Sequence, residues 1–292
     1  MSLLAVVFEL AFVVATMLVT ATLVVVGPRR LAAAMRGYRR RLQVCALPLA
    51  TLVVVLALRW STVDVFTRLE RRVLGTNITP LLFEIEETLL PQNPVVVLQS
   101  FQSPELTSFF VFTYIYGYAF LLLFPFIAYF ALEEMDDLRT LLLAFTVNYG
   151  VGLICYVFFI AYGPRNVDPT IFQGLLYDAF PQSRMLTNEV NQNTNVFPSL
   201  HTSLSMTVFF LAWLTREKYP IWTGVAGVLA ISVVVSTMYL GIHWFSDVVA
   251  GTLLALGSVY VGRHYTARGL LDSTRRYLDA RLERLKRAGG FG

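Results

Sequence analysis

Long apolar runs separated by short charged stretches dominate the chain. Seven of them, at about 4–26, 43–60, 107–132, 140–161, 199–215, 221–241 and 244–262, read as membrane spans. The physical reason is length, since roughly 20 apolar residues coiled as a helix cross about 30 Å of hydrocarbon. Helices also satisfy their own backbone polar groups, which lipid cannot do. The pattern predicts an all-α, polytopic transmembrane helical bundle of about seven spans. Between the second and third runs the periodicity changes. Val63, Phe66, Leu69 and Val73 recur at helical spacing among Arg68, Glu70, Arg71 and Arg72, which suits a helix lying in the interface or a solvated helix on a loop. Leu271, Leu278, Leu282 and Leu285 mark a charged amphipathic tail. The expected organisation is an N-terminal transmembrane hairpin at 1–60, an extracytoplasmic or interfacial segment at 61–106, a five-helix core at 107–262 and a cytoplasmic tail at 263–292.

Composition sharpens this picture. The chain is 56% hydrophobic and 14% charged, with a mean hydropathy of +0.63, against about 25% charged residues in ordinary soluble domains. A soluble fold is excluded. The net charge of +4 would by itself suit nucleic-acid binding, but its placement argues for a membrane topology. Of the 23 Lys and Arg residues, 17 fall in the segments 27–42, 133–139, 216–220 and 263–292. These are alternate connections of the seven-span pattern and become cytoplasmic under the positive-inside rule. The N-terminus is then outside and the C-terminus inside, and no nucleic-acid partner is needed. The first run has no basic residue before it and no small-residue cleavage site, so it is expected to stay as a span rather than be removed as a signal. Cys45 and Cys155 lie within apolar runs without metal-site spacing, and Asn77-Ile78-Thr79 is a weak glycosylation match followed by Pro80.

Candidate chemistry stands out against so much hydrocarbon. From Ile221 to Gly262 the ionisable groups, tyrosine aside, are His243 and Asp247. Ionisable side chains at membrane depth are costly and mark function by default. At a spacing of four on a helix the two would share one face, with the carboxylate on one imidazole nitrogen and the other nitrogen free. A buried structural pair is the plainer alternative. His201 lies in Phe197-Pro198-Ser199-Leu200-His201-Thr202-Ser203, where a long outer loop gives way to an apolar run. Free N–H groups in such a first turn bind anions, and the hydroxyls of Ser199, Thr202 and Ser203 could add donors or simply cap the helix. Arg165, in Gly163-Pro164-Arg165 at the outer end of the fourth span, is either an interfacial anchor or a phosphate clamp. The charge-derived alternation puts Arg165, His201, His243 and Asp247 at one membrane surface. His264, just beyond the last span, reads as a bystander.

Pro-Arg at a helix end, Pro-Ser-x-His opening a helix and His-x-x-x-Asp near the last span together resemble the type 2 phosphatidic acid phosphatase superfamily. The resemblance covers about 95–262 and is nearest the inositol phosphorylceramide synthase-like branch, to which Pro198-Ser199-Leu200-His201 and the stretch Tyr239 to Asp247 are similar. It implies a lipid phosphate phosphatase or phospho-headgroup transferase. His243 would attack phosphorus and become a phosphohistidine, Asp247 would orient it, and His201 would protonate the leaving oxygen. Arg165, Ser199, Leu200 and Thr202 would hold the phosphoryl oxygens. The phosphatase pattern has a Lys where this chain has Phe158 and an Arg where it has Thr237. Arg184, in the outer loop, is a candidate replacement for a missing cation.

The expectation is therefore a multi-pass enzyme of the plasma membrane with an extracytoplasmic site. It would act on a lipid phosphate within the bilayer and need no metal or other cofactor. Two rivals come from other classes: a proton-coupled transporter using the His–Asp pair, and an inactive lipid-binding homologue.

Overall fold

The computed structural model describes residues 3–69, 76–181 and 195–288. Helix α1 (Leu3–Ala21) continues through a π-helical turn at Thr22–Val26 and breaks at Gly27, after which Pro28 opens α2 (Pro28–Arg36). Proline suits a first turn because its missing N–H would be unpaired there anyway, and the same device opens three further helices on the way to the core. These are α4 (Thr79–Leu89), α5 (Pro94–Gln99) and α6 (Pro104–Phe112), which follow α3 (Tyr38–Leu69). A second π-helical turn, Thr113–Gly117, joins α6 to α7 (Tyr118–Phe130). The remaining bundle consists of α8 (Asp136–Phe158), the short α9 (Leu175–Ala179), α10 (Leu200–Leu214), α11 (Pro220–Tyr239) and α12 (Phe245–His264). The tail is α13 (Ala267–Ala288).

Among the described residues, six stretches are long and apolar enough to cross a membrane: Leu4–Val26, Tyr38–Ser61, Pro104–Phe130, Asp136–Phe158, Pro220–Tyr239 and Phe245–His264. The shorter apolar helix Leu200–Leu214 is the remaining one of the seven expected runs. The chain is thus an all-α, multi-pass membrane bundle. One detail differs from the sequence reading. Val63, Phe66 and Leu69 do not start a separate helix, because α3 continues unbroken to Leu69; Glu70, Arg71, Arg72 and Val73 lie outside the described residues.

Side-chain bonds fix which helix ends lie together. At one end Tyr129 at the close of α7 meets Thr215 after α10 at 3.0 Å, and Lys218 pairs with Asp137 of α8 at 2.6 Å. Arg41 of α3 donates to the Phe130 and Leu132 carbonyls at that end. The spans therefore alternate in direction, as the charge pattern predicts. The buried heart between them includes Phe124, Leu141, Leu204 and Trp222. A polar knot crosses it: Asn148 of α8 donates to Thr207 of α10 at 2.9 Å and accepts from the Ser203 hydroxyl. Such bonds between membrane helices average about 0.6 kcal/mol, so their value here is to set the register of α10 on α8.

At the opposite end, residues 76–106 fold back over the bundle. Thr76–Asn77 pairs in parallel with Phe159–Ile160 beyond α8. Thr79 is buried, and its hydroxyl accepts from the Tyr162 amide at 2.9 Å. Gln99 of α5 donates to the carbonyls of Gln173 and Tyr239 at 2.9 and 3.0 Å. The segment expected as an interfacial piece therefore forms a cap on the end of the bundle that carries the histidines.

Candidate active site

His243 sits on the turn between α11 and α12. Gly241 takes φ +72° there, a left-handed conformation natural to glycine at a helix C-terminus. The amides of Ile242 and His243 both donate to the Thr237 carbonyl, at 2.9 and 3.1 Å. The next helix opens with Asp247 in its first turn, where Oδ2 accepts from the Trp244 amide at 2.9 Å. This chain reversal brings His243 Nδ1 to 3.5 Å from Asp247 Oδ2. The pair meets, but not through the helical spacing read from the sequence: His243 precedes α12, and the turn supplies the contact.

Both side chains are out of water, His243 at 2% exposure and Asp247 at 0%. Burial, reinforced by the Arg165 charge, lowers His243 to about 3, with a bond to the Val196 backbone opposing the shift. At neutral pH the imidazole is uncharged, the form a nucleophile requires.

His201 lies one residue into α10, packed against the rings of Tyr114 and Tyr118, with centroids 4.6 and 4.5 Å away. Tyr114 belongs to the π-helical turn and Tyr118 follows it directly, so the extra residue in that turn is what presents both rings to His201. The His201 and His243 ring centroids are 6.1 Å apart. Contacts of roughly 3 Å bring reacting groups into position, so one phosphoryl group between the rings could touch both. Helix α10 is held in this place by α12. The Ser199 amide donates to the Asp247 carbonyl at 3.2 Å, and the helices pass so closely at Gly251 that a Cβ there would sit 2.5 Å from the Ser199 carbonyl oxygen.

Arg165 lies on the 3₁₀ turn Pro164–Asn166 after α8. Its amide donates to the Gly241 carbonyl at 3.2 Å, which ties it to the His243 turn. Its Nη2 donates to the Tyr177 hydroxyl at 3.1 Å, and the guanidinium lies 4.4 Å over that ring. Nε and Nη1 are buried without a partner in the described residues. Thr202 Oγ1, His243 Nδ1 and Asp247 Oδ1 share that condition, so these four residues hold five of the nine such atoms. Buried polar atoms almost always find partners, and their concentration here marks a place built for a polar ligand.

Other expected phosphate contacts are engaged within the protein. The Ser199 hydroxyl caps α10 by accepting from the Thr202 amide at 3.3 Å. The Leu200 amide donates to the Tyr156 hydroxyl, which itself donates to the Pro198 carbonyl at 3.2 Å. Arg184 lies outside the described residues. His264 bonds the Tyr260 carbonyl at 2.9 Å on the last turn of α12, away from the site.

Besides the two tyrosines, sequence reasoning missed Glu86 and Arg59. Glu86 of α4 is 1% exposed. Its Oε1 accepts from the Ser246 amide at 2.8 Å and the Ser246 hydroxyl at 2.9 Å, while Oε2 accepts from Asn93 at 3.1 Å. Burial raises its pKa against those hydrogen bonds, and the Asp247 charge adds to the rise. Two carboxylates therefore hold the amides that open α12, next to His243. One acid in Glu84-Ile85-Glu86-Glu87 carries no signal that it turns inward. The other residue is Arg59 of α3. Its guanidinium lies 5.3 Å from the Tyr149 ring centroid, and its charge acts on His201 and Tyr118. Its place at the end of an apolar run resembles that of any interfacial arginine.

An apolar helical bundle with two histidines, an aspartate and an arginine gathered at one end defines a class of membrane-embedded proteins with a polar candidate site at one surface. A family model described as the PAP2 superfamily matches residues 82–261, more than half of the chain. The chain belongs to the PAP2 superfamily, whose members are phosphatases and phosphotransferases, and this makes it at that level a lipid phosphoesterase. No protein of curated function and no solved structure matches it. The matched stretch contains Glu86, Arg165, His201, His243 and Asp247 and leaves out Arg59.

Proposed function

We propose that the protein transfers the phosphoryl group or phospho-headgroup of a membrane lipid to water or to an alcohol, through a phosphohistidine on His243. The observation that carries this reading is the 6.1 Å separation of the two imidazole rings, with Asp247 on one of them and unpartnered guanidinium nitrogens of Arg165 beside it. In the first step the His243 nitrogen remote from Asp247 gives its lone pair to phosphorus. The ester P–O bond breaks, and the leaving oxygen takes a proton from His201, which enters this step as the imidazolium because the negative charge of the bound phosphate ester favours that form. The phosphoimidazolium so formed keeps its Nδ1 proton toward Asp247, whose charge balances it. In the second step water or a lipid hydroxyl loses a proton to His201 and attacks phosphorus, which returns His243 to the neutral form. Substrate takes the place of the Val196 carbonyl at the attacking nitrogen, and the single proton of the ring moves to Nδ1 facing Asp247, which leaves the lone pair for attack.

Phosphoryl transfer needs positioning and charge neutralisation more than elaborate covalent chemistry. Arg165 and Thr202 carry free polar atoms for the phosphoryl oxygens. Arg59 supplies a further positive charge on the His201 side, which compensates for Phe158 and Thr237, where lysine and arginine would be expected. Whether water or a lipid hydroxyl completes the reaction depends on the fit of the acceptor and the exclusion of water. The 17 of 23 basic residues at the opposite helix ends favour an extracytoplasmic site at the plasma membrane.

Incubating the purified protein with a panel of lipid phosphates and phospho-headgroup lipids, with and without alcohol acceptors, tests the proposal. Release of phosphate or exchange of a headgroup is expected, together with an acid-labile phosphoenzyme. Substrate movement across vesicles without turnover would indicate a transporter instead, and binding without either would indicate an inactive homologue.

A further inference from the structure

The bundle has a second opening, at the end opposite the histidines. A cavity of ≈ 790 Å³ lies between the starts of α3, α8 and α13 and the ends of α10 and α12. The 15 residues of α10 put it about 22 Å from the His201 end. Its lining has two characters. Val44, Leu47, Leu143 and Leu214 form an apolar wall. Three of them stand open on the flank of the bundle, with exposures of 40% for Val44, 37% for Leu47 and 42% for Leu214. The mouth is charged: Asp136, Asp137, Arg139, Lys218, Arg263 and Arg268.

The two acids are already matched. Arg139 lies 3.3 Å from Asp136, and Lys218 lies 2.6 Å from Asp137. Arg263, in the last turn of α12, and Arg268, in the first turn of α13, have no carboxylate partner among the described residues. The cavity lining is left with two positive charges in excess, together with an apolar wall that continues onto the exposed flank of the bundle.

We propose that this cavity is a binding site for an anionic phospholipid of the leaflet opposite the active site. The headgroup phosphate lies against Arg263 and Arg268, whose planar forks match phosphate oxygens. An acyl chain follows Val44, Leu47 and Leu214 into the bilayer. A free phosphate or nucleotide would use the arginines but leave the apolar part of the cavity unfilled, whereas an acyl chain fills it. Basic pockets between spans are a recognised form of lipid headgroup site. Because α12 runs from this cavity to Asp247, lipid seated here grips one end of the helix whose other end carries the candidate chemistry.

The test reads lipid retention and needs no turnover, so its outcome is separate from that of the proposed function. The full-length protein is reconstituted in nanodiscs of equimolar phosphatidylglycerol and phosphatidylcholine, released, and its retained lipids counted by native mass spectrometry. Two arginines lining the cavity correspond to a preference of about thirtyfold for the anionic lipid. That preference should fall to near parity in the double variant Arg263→Gln, Arg268→Gln. It should persist in Arg275→Gln, Arg276→Gln, which removes two charges from α13 outside the cavity. Parity in the wild type would overturn the proposal without recourse to any variant, and so would an equal loss in both double variants. Displacement of the retained lipid by millimolar inorganic phosphate would show a site for free anions and overturn the lipid assignment.

Discussion

Each imidazole of the candidate site is given a different job by its neighbours. His243 has Asp247 at 3.5 Å and a charge-free ring, which suits attack on phosphorus. His201 is packed against two tyrosine rings, across from it, which suits transfer of a proton. On an activated substrate such as a nitrophenyl phosphate, His243→Ala should abolish turnover and His201→Ala should be mildest, because that leaving oxygen needs no proton. Asp247→Asn should fall between them, since the tautomer error it risks costs about 10⁴ in the serine-protease triad. Phosphoenzyme trapping checks the order: label that survives in His243→Ala would assign the nucleophile elsewhere. The depressed pKa of His243 makes a second prediction. The unfolded chain binds a proton near pH 6.5 and the folded chain near 3, so the stability that neutral His243 contributes is present above pH 6.5 and lost as pH falls through that window. Thermal unfolding in detergent should show a steeper loss from pH 7 to 5 for the wild type than for His243→Ala. Parallel curves would mean that the ring titrates normally. A chelator should leave activity intact if one imidazole is nucleophile and the other acid; recovery by added zinc after inhibition would contradict those roles.

At the scale of elements, the site depends on how the N-terminus of α12 is held. Asp247 takes the Trp244 amide and Glu86 takes the Ser246 amide, so α4 clamps the helix on which Asp247 rides. Glu86→Ala would strand the Ser246 and Asn93 donors in a buried place, at about 1–3 kcal/mol for each unsatisfied group. Glu86→Gln is the sharper variant. Its amide can still accept from Ser246, but its nitrogen would face the Asn93 nitrogen, whose own oxygen is occupied in capping α5 through Val95. Both variants are expected to lower kcat more than tenfold while changing KM little. A change confined to KM would place Glu86 in substrate binding instead. The π-helical turn is a second element-scale device. Deleting one residue between Tyr114 and Tyr118 would change their spacing from four to three and should remove the ring stack on His201.

The whole molecule presents the candidate chemistry at one end and most of its basic residues at the other. Arg36→Cys and Asn166→Cys test which end faces outward, since both positions are exposed and lie at opposite ends of the bundle. With an extracytoplasmic site, an impermeant thiol reagent applied to intact cells should label Asn166→Cys and spare Arg36→Cys. The reverse pattern would put the site in the cytoplasm.

Much of this protein was legible in the sequence because hydrocarbon is an unforgiving solvent. Apolar run lengths set the spans, the lopsided arginines set their alternation, and His243 and Asp247 announced themselves as the ionisable pair in two adjacent spans. Arg165 and His201 could be placed at the same surface from alternation alone. Tertiary structure decided everything that depends on contacts between segments far apart in the chain. Glu86 and Ser246 are 160 residues apart in sequence, and no local pattern distinguishes a buried acid from its exposed neighbours. Tyr114 and Tyr118 face His201 because of a π-helical turn that leaves no clear periodic trace. Arg59 reads as an interfacial anchor until α3 packs beside Tyr149. The packing also shows that the Ser199 hydroxyl accepts from its own helix and that the Leu200 amide donates to Tyr156 of α8. Periodicity and charge report what each segment does with solvent; which side chains meet across the bundle is settled only when the helices pack.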